Sequence, residues 1–365
     1  MSGPVPSSLP RDGSGRTETE RIESGTCLTC ARSWEDQIPR ERYDEVADVA
    51  VGIDDKIFVL TRAPSEILTF DPGGRLVDRW GADRLSARPH ALTIAPDGSI
   101  WCADEGAHAL RRFTQSGELV QTIGTPGSRS DTGYDDTIGP LYERIATIER
   151  PGGPFNRPTS IAIAPAGDLF VADGYGNCRI HQFAPDGTLR RSWGEPGSGP
   201  GQFRLPHAVV ALGDGRLVVA DRENERLQVF SDQGRCTDIW TDVQRPCALT
   251  GTDEGWLIVG ELAWTPGERS WRRGAITAPH PARITVLDER GRVVDRLTGG
   301  PGEGDGGFLA PHGIAMDRRG HLYLAEVSGT YARLNRLDVP GRNIFQELVP
   351  RAGPEGPLAP IGQRP

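Results

Sequence analysis

Short runs of alternating apolar and polar residues recur along most of this chain, each broken by a turn after five or six positions. The opening runs align as Val46-Ala47-Asp48-Val49-Ala50-Val51, Pro89-His90-Ala91-Leu92-Thr93-Ile94, Pro158-Thr159-Ser160-Ile161-Ala162-Ile163, Pro206-His207-Ala208-Val209-Val210-Ala211, Pro246-Cys247-Ala248-Leu249-Thr250-Gly251 and Pro311-His312-Gly313-Ile314-Ala315-Met316. Each leads into a polar, mostly glycine-containing turn such as Pro96-Asp97-Gly98 or Asp214-Gly215. A second run follows, for example Ile100-Trp101-Cys102-Ala103-Asp104, then a third, a further turn, and a fourth that commonly ends in Trp-Gly or Ile-Gly, as at Trp80-Gly81, Ile123-Gly124 and Trp193-Gly194. Period-two alternation bounded by turns predicts half-buried β-strands. Four such strands in roughly 40–45 residues predict a propeller blade. Six units predict an all-β chain, a six-bladed β-propeller.

A single blade cannot bury both its faces, so the ring is expected to fold as one domain, residues 26–350, with blades opening near 46, 89, 158, 206, 246 and 311. Two long intervals hold insertions, about 125–154 and 262–281. Residues 26–45 either pack against the ring or help to close it. Residues 1–25 are polar and predict a disordered N-terminal tail, and 351–365 a C-terminal tail.

Composition adds exclusions. The 47 glycines and 30 prolines suit a turn-rich β chain. A net charge of −9 argues against a nucleic-acid surface, which needs a basic stripe. Only Lys56 among the 41 basic residues is lysine, which reads as coding bias. No apolar run approaches the ~18 residues that cross a bilayer, and no signal-peptide pattern precedes the repeats, so no membrane association and a cytoplasmic location are expected. Cys27, Cys30, Cys102, Cys178, Cys236 and Cys247 are then expected as free thiols. Cys27-x-x-Cys30 lacks the second pair that a structural zinc site needs. The ring is expected to be a monomer.

The candidate chemistry lies at the unit starts. His90, His207 and His312 each follow a proline, and they fall on the second, fourth and sixth units. Alternate units of a six-fold ring stand a third of a turn apart, so three imidazoles would converge on the axis. Three nitrogen ligands with an open fourth position is the arrangement of a catalytic zinc. In an antiparallel hairpin the start of the first strand and the end of the second share one face of the ring. Arg62, Arg222 and Tyr175 therefore share the mouth with the histidines, and both insertions rise there. Arg62 and Arg222 either face the site or pair at the rim with Glu105 and Glu261. Tyr175 stands between Gly174 and Gly176, which would let the backbone turn sharply and aim the ring. The stretches Gly197–Gly201 and Gly302–Gly307 resemble phosphate loops but run to Phe203 and Phe308, three residues before a blade proline, as does Phe155. They read as connectors between blades.

These units resemble NHL repeats, and the chain resembles the peptidyl-α-hydroxyglycine α-amidating lyase family. The densest likeness runs from Phe155 to Phe230 and includes Ala172-Asp173-Gly174-Tyr175, Trp193-Gly194-Glu195, Pro200-Gly201-Gln202-Phe203, Pro206-His207 and Val219-Ala220-Asp221-Arg222-Glu223-Asn224. The resemblance implies a six-bladed propeller, a zinc ion on His90, His207 and His312, a catalytic Tyr175, and two active-site arginines, Arg62 and Arg222. It also implies a calcium ion held through the backbone carbonyls of Val49 and Leu92. The aspartate that the family places directly after its third zinc histidine is Gly313 here, which argues against that calcium. The family's two disulfides would fall at Asn156 with Gly176 and Val218 with Val229, and no cysteine stands at any of the four, as suits a reducing compartment. The implied reaction cleaves an N–C(OH) carbinolamide to an amide and an α-keto acid such as glyoxylate, on a small-molecule substrate bearing a carboxylate. The residues leave two alternatives open: a metal-dependent hydrolase or lactonase at the same site, and a non-catalytic propeller that binds protein partners.

Overall fold

Six four-stranded antiparallel sheets follow one another around an axis in a computed structural model, which describes residues 28–34, 36–252, 255–299, 307–335, 344–350, 352–353 and 356–357. The expected tail at 1–25, most of the one at 351–365, Cys27 and the Gly302–Gly306 stretch lie outside the described residues. The innermost strands are Glu45–Val51, Pro89–Ile94, Pro158–Ile163, Pro206–Ala211, Pro246–Gly251 and Pro311–Met316, and each packs against the next around the circle, the sixth against the first. The chain is thus nearly all β, a six-bladed propeller. In every blade the second strand is buried along its length, and in the first five the outermost strand is largely open to solvent, as in Ile100–Asp104 against Leu119–Ile123.

The sixth blade takes its strands from both ends of the chain. Its order from the axis is Pro311–Met316, Leu322–Glu326, Phe345–Pro350 and Leu28–Ser33. The N-terminal strand pairs antiparallel with Phe345–Pro350, from Leu28 opposite Pro350 to Ser33 opposite Gln346. Of the two roles open to residues 26–45, closure of the ring is therefore taken by 28–33. The residues that follow pack as well: Trp34 sits edge-on to Phe70 of the first blade at 4.8 Å and to Phe345 of the sixth at 5.4 Å. Loss of the N-terminal strand would expose an unpaired sheet edge. A chain beginning after Ser33 is expected to unfold at lower temperature and to self-associate, which calorimetry and light scattering would measure.

Two repeated devices join the blades. A carboxylate at the end of a second strand accepts backbone N–H groups from the connector that leads into its own blade: Asp104 from Ser86, Asp173 from Asn156, Asp221 from Arg204, Glu261 from Gln244 and Glu326 from Leu309. Buried connector amides are thereby satisfied. The connector phenylalanines Phe155, Phe203 and Phe308 are fully buried. Phe155 and Phe203 lie on Gly124 and Gly194, where a Cβ would come within 2.8 and 2.7 Å of the rings and where φ is +91° and +99°. The glycine that ends an outer strand and the phenylalanine that precedes the next blade are two halves of one contact.

The first insertion carries a short helix, Leu141–Ala146, and the second a small hairpin, Arg269–Ser270 with Gly274–Ala275. A further helix, Ser328–Asn335, follows the second strand of the sixth blade. Among the described residues no helix is long and apolar enough to cross a membrane.

Candidate metal centre

Each inner strand has a register shift near its start, after the second paired position in the first blade and after the first in the other five. The extra residues are Ala47, His90, Thr159, His207, Cys247 and His312. A bulge of this kind re-aims one side chain and leaves that residue's backbone outside the ladder. All six units use it, so His90, His207 and His312 turn onto the axis from alternate blades. Their imidazole centroids form a near-equilateral triangle with sides of 4.6, 4.8 and 4.9 Å.

The other three bulges hold the rings. His90 Nδ1 lies 2.6 Å from the carbonyl oxygen of Thr159, His207 Nδ1 2.7 Å from that of Cys247, and His312 Nδ1 2.7 Å from that of Ala47. A carbonyl oxygen only accepts, so each Nδ1 carries the proton and each Nε2 keeps a lone pair. Metal-binding histidines are oriented in this way by a partner on the other ring nitrogen. One potential ligand atom from each residue lies within 4.8 Å of the others. His90 Nε2 is buried without a hydrogen-bond partner. Burial, then the neighbouring histidines and Arg62, holds the His90 pKa well below the usual value. Burial and Arg222 do the same to His207, and burial with Arg62 brings His312 to about 3. Three neutral imidazoles whose ligand atoms converge could hold a metal ion. Cys247 Sγ lies 3.5 Å from His207 Nδ1, but burial pushes its thiol up to about 11, so it stays protonated.

Tyr175 stands over this triangle. Its hydroxyl is 3.4 Å from His207 Nε2, and its ring lies edge-on to His90 at 5.4 Å. Arg222 Nη1 donates to the Tyr175 hydroxyl at 3.3 Å. Arg222 is itself buried, and its Nε donates to Glu223 Oε1 at 2.8 Å, an atom that also accepts from Arg245 at 3.2 Å. Arg62 donates from Nε to the Pro89 carbonyl at 3.0 Å and faces Glu45 at 3.6 Å, while its Nη2 is buried and unpaired. The structure therefore brings together His90, His207, His312 and Tyr175 with Arg222, and ties Arg62, at the end of the first blade's second strand, to the Pro89 carbonyl that opens the second blade. The rim pairing considered for the arginines does not occur. Glu105 pairs with Arg88 and Arg157, and Glu261 with Arg283, because those arginines stand in or beside the same blade.

The glycines beside Tyr175 serve a purpose other than a sharp turn. Neither has a positive φ; a Cβ on Gly174 would lie 2.1 Å from the Pro206 carbonyl, and one on Gly176 2.1 Å from Asn156 Oδ1. Close approach to the start of the next blade's inner strand at Pro206, and to the connector at Asn156, is what excludes a side chain. Gly174→Ala is expected to cost about 1–3 kcal/mol through overpacking against backbone, read from denaturant unfolding.

Beyond the histidines the axis opens into a cavity of about 290 Å³ lined by the inner strands. Asp48 faces it, accepting from the amides of Val49 at 2.9 Å and Leu92 at 2.8 Å. Burial pushes its carboxyl up to about 7. A Cβ on Gly313 would lie 2.3 Å from Asp48 Oδ1. The carboxylate that the resemblance places after the third histidine is absent, and the Asp48 side chain from the first blade fills that space. Val49 and Leu92 are neighbours on adjacent inner strands, joined through their amides to Asp48.

Fold and site together define a six-bladed propeller with a buried three-histidine cluster able to ligate a metal ion. Residues 155–183 and 203–230 match the NHL repeat family model. Over 280 residues the chain is 30% identical to NHL repeat-containing protein 3 of Homo sapiens, covering 72% of this chain and 70% of that protein. The chain belongs to this family of NHL repeat-containing proteins. It is also 32% identical over 161 residues to a probable peptidyl-alpha-hydroxyglycine alpha-amidating lyase of Caenorhabditis elegans, across 43% of this chain and 40% of that one. A gluconolactonase from Xanthomonas campestris shares the fold, with a TM-score of 0.53 at 12% identity over 96% of this chain and 99% of the other.

Proposed function

We propose that the chain is a zinc-dependent lyase that cleaves an N–C(OH) carbinolamide, or a related α-hydroxy acid derivative, to an amide and an α-keto acid. One observation carries the reading: three imidazoles fixed as Nδ1–H donors present their Nε2 lone pairs beside a tyrosine hydroxyl that an arginine holds. The likeness to the Caenorhabditis elegans lyase over part of the chain supports it. When bound on His90, His207 and His312, zinc supplies Lewis acidity to a substrate hydroxyl. Tyr175, entering the cycle as the phenolate, takes the proton of that hydroxyl as a general base. The oxygen's electron pair forms the C=O bond, the C–N bond breaks, and Tyr175 returns the proton to the departing amide nitrogen. Arg222 steadies the tyrosine oxygen through the change. Arg62, with Nη2 unpaired, binds the substrate carboxylate, where a planar guanidinium fits best.

The zinc-loaded chain is expected to release glyoxylate and benzamide from α-hydroxyhippurate. Run in 18O-labelled water, the benzamide oxygen stays unlabelled. Label in the acyl product, appearing as benzoate, would replace the lyase by a hydrolase or lactonase at the same site.

A further inference from the structure

The two insertions meet over one side of the mouth. Tyr142, on the helix Leu141–Ala146, stacks on Trp271 with ring centroids 3.7 Å apart and planes 23° from parallel. The Arg204 guanidinium lies 5.0 Å over Trp271 and that of Arg269 5.3 Å over Tyr142. A stacked ring leaves no room for a guanidinium on the shared side, so each arginine takes the outer face. Cation, ring, ring and cation form one column.

Both insertions are fastened to the turns that carry the reactive side chains. In the first, Thr132 Oγ1 donates to the Gly176 carbonyl at 2.6 Å, one residue from Tyr175. Asp136 accepts from Arg157 at 2.6 Å. In the second, Ser270 and Arg273 both bond the buried carboxylate of Glu225, three residues from Arg222, and Arg272 donates to the Glu225 carbonyl at 3.0 Å. The column therefore bridges the third and fourth blades, on the side of Tyr175 and Arg222. Leu141, Trp271 and Tyr175 all pack on one apolar cluster, which includes Tyr134, Ile145 and Ile148. Arg157 and Arg273 are paired with Asp136 and Glu225, while Arg204 and Arg269 lie on the outer ring faces with no carboxylate partner among the described residues, so the surface between the two guanidiniums is aromatic and aliphatic.

We propose that the Tyr142–Trp271 column is a specificity element: a fixed strap whose apolar wall selects substrates with a compact, preferably aromatic, acyl group on the amide side and turns away extended chains. The proposal rests on the carboxylate pocket assigned above, and its test uses unreactive carboxylates. Calorimetry on the full zinc-loaded chain would measure binding of N-benzoylglycine, N-acetylglycine and an N-acetylated tripeptide ending in glycine. N-benzoylglycine is expected to bind about ten-fold more tightly than the other two. In Trp271→Ala the preference is expected to shrink to about two-fold or less, and Trp271→Phe to restore most of it. Tyr142→Ala, on a helix outside the blades, gives the same reading should Trp271→Ala not fold. Equal binding of the three ligands, no binding of any, or a preference that survives both alanine variants overturns the proposal. Loss of the preference in a chain that leaves α-hydroxyhippurate uncleaved would retain the strap and overturn only the reaction.

Discussion

His207→Ala is expected to empty the metal centre. Two imidazoles would remain of the three. Cys247 is the nearest other donor, with Sγ 3.5 Å from His207 Nδ1, and burial raises its pKa, so its recruitment would cost a proton that an imidazole does not. Removal of a partner that merely orients a ligand lowers metal affinity about 10–100-fold, so loss of a ligand itself is expected to exceed that range. Elemental analysis after dialysis would find about one ion per chain in the parent and almost none in the variant. The blade strands do not depend on the side chain, so the β signature in circular dichroism should persist. Stoichiometric metal in folded His207→Ala would refute the three-histidine centre, and with it the enzymatic reading.

Tyr175→Phe separates chemistry from assembly. The phenylalanine ring keeps the packing on His90 and His207, at 5.4 and 5.7 Å, so metal content should not change. Only the hydroxyl beside His207 Nε2 and Arg222 is lost. Loss of a positioned acid or base typically slows turnover about 10²–10⁴-fold, and that fall is expected in kcat with KM little altered. Full activity in Tyr175→Phe would take the tyrosine out of the mechanism and leave proton transfer to another group.

The parts of this molecule that repeat were legible in the sequence. Six aligned opening runs gave the blade count, and Pro-His on alternate units gave the triangle, because one bulge recurs near the start of every unit. Hairpin geometry alone placed Arg62, Arg222 and Tyr175 on the histidine face. The acceptors that lock the imidazoles were not legible, since Ala47, Thr159 and Cys247 act through carbonyls that any residue carries. The one signal was positional: each occupies the histidine's own place in the following unit. Asp48 was missed for another reason. It reaches across the seam from the first blade into room left by Gly313, a relation with no local trace. The pairing of Leu28–Ser33 with Phe345–Pro350, and of Tyr142 with Trp271, joins segments far apart in the chain, where periodicity is silent.

The seam of the toroid also runs through its chemistry. His312 belongs to the last blade to be synthesised, and its ring is steadied by Ala47 from the first. A nascent chain that stops short of the sixth blade owns two of the three imidazoles and lacks the third. Metal capture at the proposed centre would thereby wait until the sixth blade has met the first.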